Sequence, residues 1–92
     1  MSVEQKCQAV CARVLLLLRE ARELRSMTKY VVAQRSGLSQ QAIGYLERGE
    51  KRPSLETILR YAAAIEVNFA DILNRAQAGT KAKPASKRRP PL

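Results

Sequence analysis

Residues 37–50 of the chain read GLSQQAIGYLERGE. Ser39 suits a helix cap, Ile43 and Leu46 stand three apart as apolar anchors, and Gly49 supplies a stop. The stretch therefore predicts a short helix. Its first turn is unusual, because Gln40 and Gln41 stand where acids would complement the helix dipole.

The flanking residues give that helix a partner. Thr28 caps a preceding helix that runs through Arg35, and Gly37 provides the left-handed residue beyond its end. Ala33, four residues before Gly37, is small enough for two helices to cross closely. Ile43, six residues after Gly37, locks the later helix against the earlier one. This is the pattern of a helix-turn-helix, whose second helix enters the DNA major groove.

The rest of the chain extends the helical reading. A first helix spans Val3 to Arg25 and ends at Ser26 and Met27. Pro53 closes a turn with Glu50, Lys51 and Arg52, and Ser54 caps a fourth helix from Leu55 to about Ile65. Asn68 with Asp71 resembles a capping box opening a fifth helix that ends near Gly79. No run alternates apolar and polar residues, so the fold class is all-α, a compact five-helix domain with an extended first helix. Its predicted core takes Leu18, Ala21, Met27, Val32, Ala33, Leu38, Ile43, Leu46, Leu55, Ile58, Leu59, Ala62, Ile65, Val67, Phe69, Ile72 and Leu73. The chain divides into a helix-one extension at 1–13, the DNA-binding domain at 14–79 and a basic tail at 80–92, expected to be disordered.

Composition points to the same partner. The 92 residues hold 17 Lys and Arg against 8 Asp and Glu, a formal charge of +9. Such a chain is drawn to polyanions. Lys81, Lys83, Lys87, Arg88 and Arg89 carry +5 of it in an acid-free tail. There is no histidine, and Cys7 and Cys11 lie one helical turn apart, so no ordinary metal set forms and no cofactor is implied. The two cysteines read as small buried or half-buried hydrophobes in a reducing cytoplasm. No paired carboxylates or activated nucleophile suggest an enzyme. No apolar run approaches a membrane span, and no signal peptide is visible, so a cytoplasmic, nucleoid-associated protein is expected.

From about Leu18 to Leu73 the chain resembles the xenobiotic-response-element (Cro/C1-type) family of helix-turn-helix regulators, which includes the phage lambda repressor and Cro proteins. The residues that carry this likeness are Leu18, Arg22, Thr28, Ala33, GLS at 37–39, Ile43, LERG at 46–49, RPSLETIL at 52–59, Ala62, Ile65, Val67, Phe69 and the Ile-Leu pair at 72–73. The glutamines then have a use. A glutamine amide offers one donor and one acceptor, which match adenine N6 and N7, and it does not repel phosphates as an acid would. The resemblance implies that Gln40 and Gln41 contact bases. Tyr45, four residues beyond Gln41, shares their face and is placed to touch a thymine methyl or donate to a phosphate; packing on helix two is the alternative. Gly44 is costly in a helix interior. Close approach to DNA and plain tolerance at an exposed site both account for it.

The resemblance also implies phosphate contacts at Thr28, Lys29, Ser39, Arg48, Lys51 and Arg52. Lys29 stands where the family commonly has glutamine, which makes its contact ionic and salt-sensitive. An ion pair between Arg22 and Glu47 is implied as well, tying helix one to the end of helix three. One departure stands out: Glu66 replaces the usual glycine after helix four, so it must turn left-handed or the placement of helix five must differ.

Two apolar surfaces are candidates for a homodimer interface. Val3, Cys7, Val10, Val14, Leu17, Ala21 and Leu24 make a heptad seam along helix one, and Phe69 and Ile72 lie on helix five. The expected function is a sequence-specific, dimeric regulator of transcription with no effector domain, a repressor or autoregulator on a double-stranded DNA operator. A restriction–modification controller, an antitoxin with a toxin protein as partner, and a protein-interaction module that has lost DNA binding are the alternatives.

Overall fold

The computed structural model describes residues 2–80. Ser2 opens the first helix with a reciprocal cap. Its hydroxyl accepts from the Gln5 N–H at 3.1 Å, and its own N–H donates to the Gln5 carboxamide at 3.0 Å. Five helices follow: α1 (Val3–Leu24), α2 (Lys29–Ser36), α3 (Gln40–Arg48), α4 (Leu55–Ala64) and α5 (Phe69–Thr80). There is no strand among the described residues, and no helix there is long and apolar enough to cross a membrane. Residues 81–92, the greater part of the basic tail, lie outside the described residues.

Local chemistry sets the helix boundaries. The Thr28, Ser39 and Ser54 hydroxyls accept from Val31, Ala42 and Thr57 N–H groups at 3.1, 2.9 and 3.1 Å. Each such cap contributes about 1 kcal/mol. The Asn68 side chain accepts from Ala70 N–H at 2.8 Å. Gly37 and Gly49 end α2 and α3 with φ of +80° and +68°. At the end of α4, Glu66 takes the left-handed conformation itself, with φ of +59°. Its N–H reaches Ala63 O and the Val67 N–H reaches Ala62 O, both at 3.1 Å. The substitution thus leaves the turn intact and α5 in place.

α1 packs on α5 and α3, and α2 packs on α3 and α4. The buried centre includes Leu18, Val32, Ile43, Leu46, Ala62, Ile65 and Ile72. Two expected core residues are not there, since Leu55 is 63% and Leu59 44% exposed. α4 is turned so that Tyr61, Ala62 and Ile65 face inward, and fully buried Tyr61 fills the centre instead. The heptad seam of α1 is likewise split. Val14 and Leu17 are 4% and 5% exposed and belong to the domain's own core, as does Ile72 at 2%. Those three are therefore not free to form a dimer surface. Val3, Cys7 and Cys11 are exposed, contrary to the expected burial of the cysteines, and Val10 is half-buried against the core. Cys7, Val10 and Cys11 form one wall of an apolar cleft of about 620 Å³, whose opposite wall includes Leu55, Ile58, Phe69 and Leu73. The two candidate dimer surfaces meet in this cleft.

Candidate nucleic-acid interface

α3 has two chemically opposed faces. Ile43 and Leu46 are 0% and 1% exposed, and the Glu47 side chain is nearly as deep at 3%. Gln40, Gln41 and Arg48 are exposed and Tyr45 is half-buried. With Gly44 they occupy positions 40, 41, 44, 45 and 48, a single stripe at helical spacing. Gly44 itself is buried beneath the Arg48 guanidinium, so tolerance at an exposed site does not account for it.

The buried face is held by a polar cluster. Arg22 Nε and Nη2 donate to Glu47 Oε2 and Oε1 at 2.7 and 3.1 Å, and Arg22 Nη1 donates to Met27 O at 2.7 Å. The Tyr61 hydroxyl donates to Glu47 Oε2. Burial pushes the Glu47 carboxyl up, but the hydrogen bonds from Arg22 and Tyr61 outweigh it and hold the group below the usual carboxylate range. Lys29 adds a smaller pull in the same direction. Burial and then Glu47 itself push the Tyr61 hydroxyl far above its ordinary value. Three helices, α1, α3 and α4, are thereby joined at one carboxylate. The sequence does not mark Tyr61, because nothing in the spacing distinguishes an inward tyrosine from one on the flank.

The outward face is organised too. Gln41 Nε2 donates to the Tyr45 hydroxyl at 3.0 Å. That fixes the amide while its oxygen and second N–H stay available. The Lys51 ammonium sits 4.4 Å from the centroid of the Tyr45 ring. Arg48 pairs with Glu50, a residue with no expected role, through Nε–Oε2 at 2.7 Å and Nη2–Oε1 at 3.3 Å. Each group holds the other in its charged form. Thr28, Lys29, Ser39, Lys51 and Arg52 are all exposed. The Thr28 and Ser39 hydroxyls accept as caps and keep a proton to donate outward. The described residues thus combine a rigidly backed helix, an amide-bearing outer stripe and a basic turn after it.

Comparison with known proteins gives this arrangement a family. The family model described as Helix-turn-helix matches residues 18–72. The chain belongs to the Cro/C1-type helix-turn-helix regulators. This regulator is similar in fold to a point mutant of the restriction–modification controller protein C.Esp1396I, at a TM-score of 0.70 and 20% identity, covering 78% of this chain and 97% of that one. It is also similar to the controller protein C.AhdI from Aeromonas hydrophila, at a TM-score of 0.62 and 29% identity, covering 67% and 94% of the two chains. Comparison with curated proteins gives no match. The regulator binds DNA through its helix-turn-helix, formed here by α2 and α3.

Proposed function

We propose that this regulator acts as a homodimer on a two-fold operator, as a repressor or autoregulator, with α3 of each copy in the major groove. The supporting observation is the division of α3 into a locked inner face and an amide-bearing outer one. Gln40, Gln41 and Tyr45 meet base edges, while Thr28, Lys29, Ser39, Lys51 and Arg52 hold the phosphates. Duplexes selected from a random pool by the full-length protein give the operator. Changing Gln40 or Gln41 to Ala should then weaken operator binding by about 1–3 kcal/mol and leave random-duplex binding nearly unmoved. Equal losses on both would remove the glutamines from the base-reading face.

Among regulators of this kind, a restriction–modification controller is the reading favoured, since both solved structures carry that name. Neighbouring genes for a methyltransferase and an endonuclease would support it, and a neighbouring toxin gene would point to an antitoxin instead.

A further inference from the structure

Arg48 does not extend away from α3. Its guanidinium lies back along the helix over Gly44, where an added Cβ would stand 3.0 Å from Nη1 and 3.7 Å from both Cζ and Nη2. Any side chain at position 44 would press on that guanidinium. Interior glycine costs a helix up to about 1 kcal/mol. A local rule broken at one point, with a charged side chain seated in the space, marks a position under functional constraint.

Glu50 fixes the fork from beyond Gly49. Its two oxygens take the Nε and Nη2 edge of Arg48 at 2.7 and 3.3 Å. The Nη1–Nη2 end is left with paired N–H groups. Cζ stands 5.6 Å from the centroid of the Tyr45 ring, so the guanidinium lies along the outward stripe and not past the helix end. A phosphate accepts the same planar fork, so Glu50 is what decides between phosphate and base. An acid beside the DNA backbone would weaken the contact by repulsion. An oriented planar fork matches the edge of guanine, which presents O6 and N7 as adjacent acceptors in the major groove.

We propose that Arg48 is a specificity-determining residue that reads a guanine through the Nη1–Nη2 end of its guanidinium. Gly44 makes the room, and Glu50 is the positioning residue that sets the plane. This assignment replaces the phosphate contact expected for Arg48 and rests on the reading of α3 as the groove helix.

The test is selection from a randomised duplex pool by the full-length wild type and the Arg48→Ala, Glu50→Ala and Gly44→Ala variants. Folding of each is checked by thermal melting. The wild type should require a guanine at one position of each half-site, with about ten- to hundredfold discrimination against other bases. Arg48→Ala should abolish that preference and keep every other position. Glu50→Ala and Gly44→Ala should weaken the same position alone, and Glu50→Ala should bind random duplex as well as the wild type or better. A uniform loss over all sequences in Arg48→Ala, with an unchanged consensus and a salt slope reduced by about one, would make Arg48 a phosphate contact and overturn the proposal. An unselective wild type would overturn the groove-helix reading, and the proposal with it.

Discussion

At the scale of single residues, Glu47 matters most. Its side chain is almost wholly buried, yet it stays charged because Arg22 and Tyr61 donate to it. Glu47→Ala would leave the buried Arg22 guanidinium only Met27 O and a long, 3.9 Å ion pair with exposed Glu23, and should cost about 3–5 kcal/mol in denaturant unfolding. The pH dependence has a definite sign. A carboxyl whose folded pKa lies below its unfolded value contributes its full stability above the unfolded value, about 4.3, and loses it as pH falls through the lower folded one. The wild type should therefore lose stability on acidification below about pH 4, and Glu47→Gln should lose less over the same interval. A wild type and variant with parallel pH profiles would show that Glu47 carries no such linkage. Arg22 and Glu47 were legible in the sequence through the LERG stretch. Tyr61 was not, because its inward direction depends on a carboxylate 14 positions away.

At the scale of elements, the caps made the helix ends readable, since each rests on residues within four positions of one another. Which side of a helix faces inward was harder to read. On α4, Leu55 and Leu59 compete with Tyr61 for the core, and hydrophobicity alone favours the leucines. The hydrogen bond from Tyr61 to Glu47 accompanies the other choice. On α1, a heptad seam and an amphipathic stripe differ by only 0.1 residue per turn, so Val14 and Leu17 satisfied both readings. The α4–α5 turn offers a direct test. Glu66 holds φ of +59°, a conformation costing a side-chain-bearing residue about 1–2 kcal/mol. Its ion pair with Arg35 is long, at 3.6 Å, and exposed, and such pairs contribute little. Glu66→Gly should thus raise stability by up to about 1 kcal/mol in chemical denaturation. A loss would mean that the Arg35 contact outweighs the backbone strain.

At the scale of the whole molecule, the unassigned surface is the cleft between the start of α1 and the starts of α4 and α5. Cys7, Val10 and Phe69, three of the residues named as dimer candidates, line it together. If this face joins two copies, Phe69→Lys should yield a monomer by sedimentation, with operator affinity lost and the helical spectrum kept. A dimer unchanged by Phe69→Lys would place the interface elsewhere. Phe69 is half-buried against the core, so Cys7→Lys, on the exposed wall, serves as the check that folding is not at fault.

The clamp on the back of α3 has a consequence for how such a regulator changes over time. Ile43, Leu46 and Glu47 face the core, and the proposed readers Gln40, Gln41 and Arg48 lie on the exposed side. Packing and proposed readout are written on opposite sides of nine residues, so mutation can revise one and spare the other. Gln40 and Gln41 exchanged together for other polar side chains should redirect the protein to a different operator. The melting temperature should shift by only a few degrees, because exposed substitutions typically stay within about 0.5 kcal/mol. A lineage built on this scaffold could then acquire new target sites without passing through unfolded intermediates.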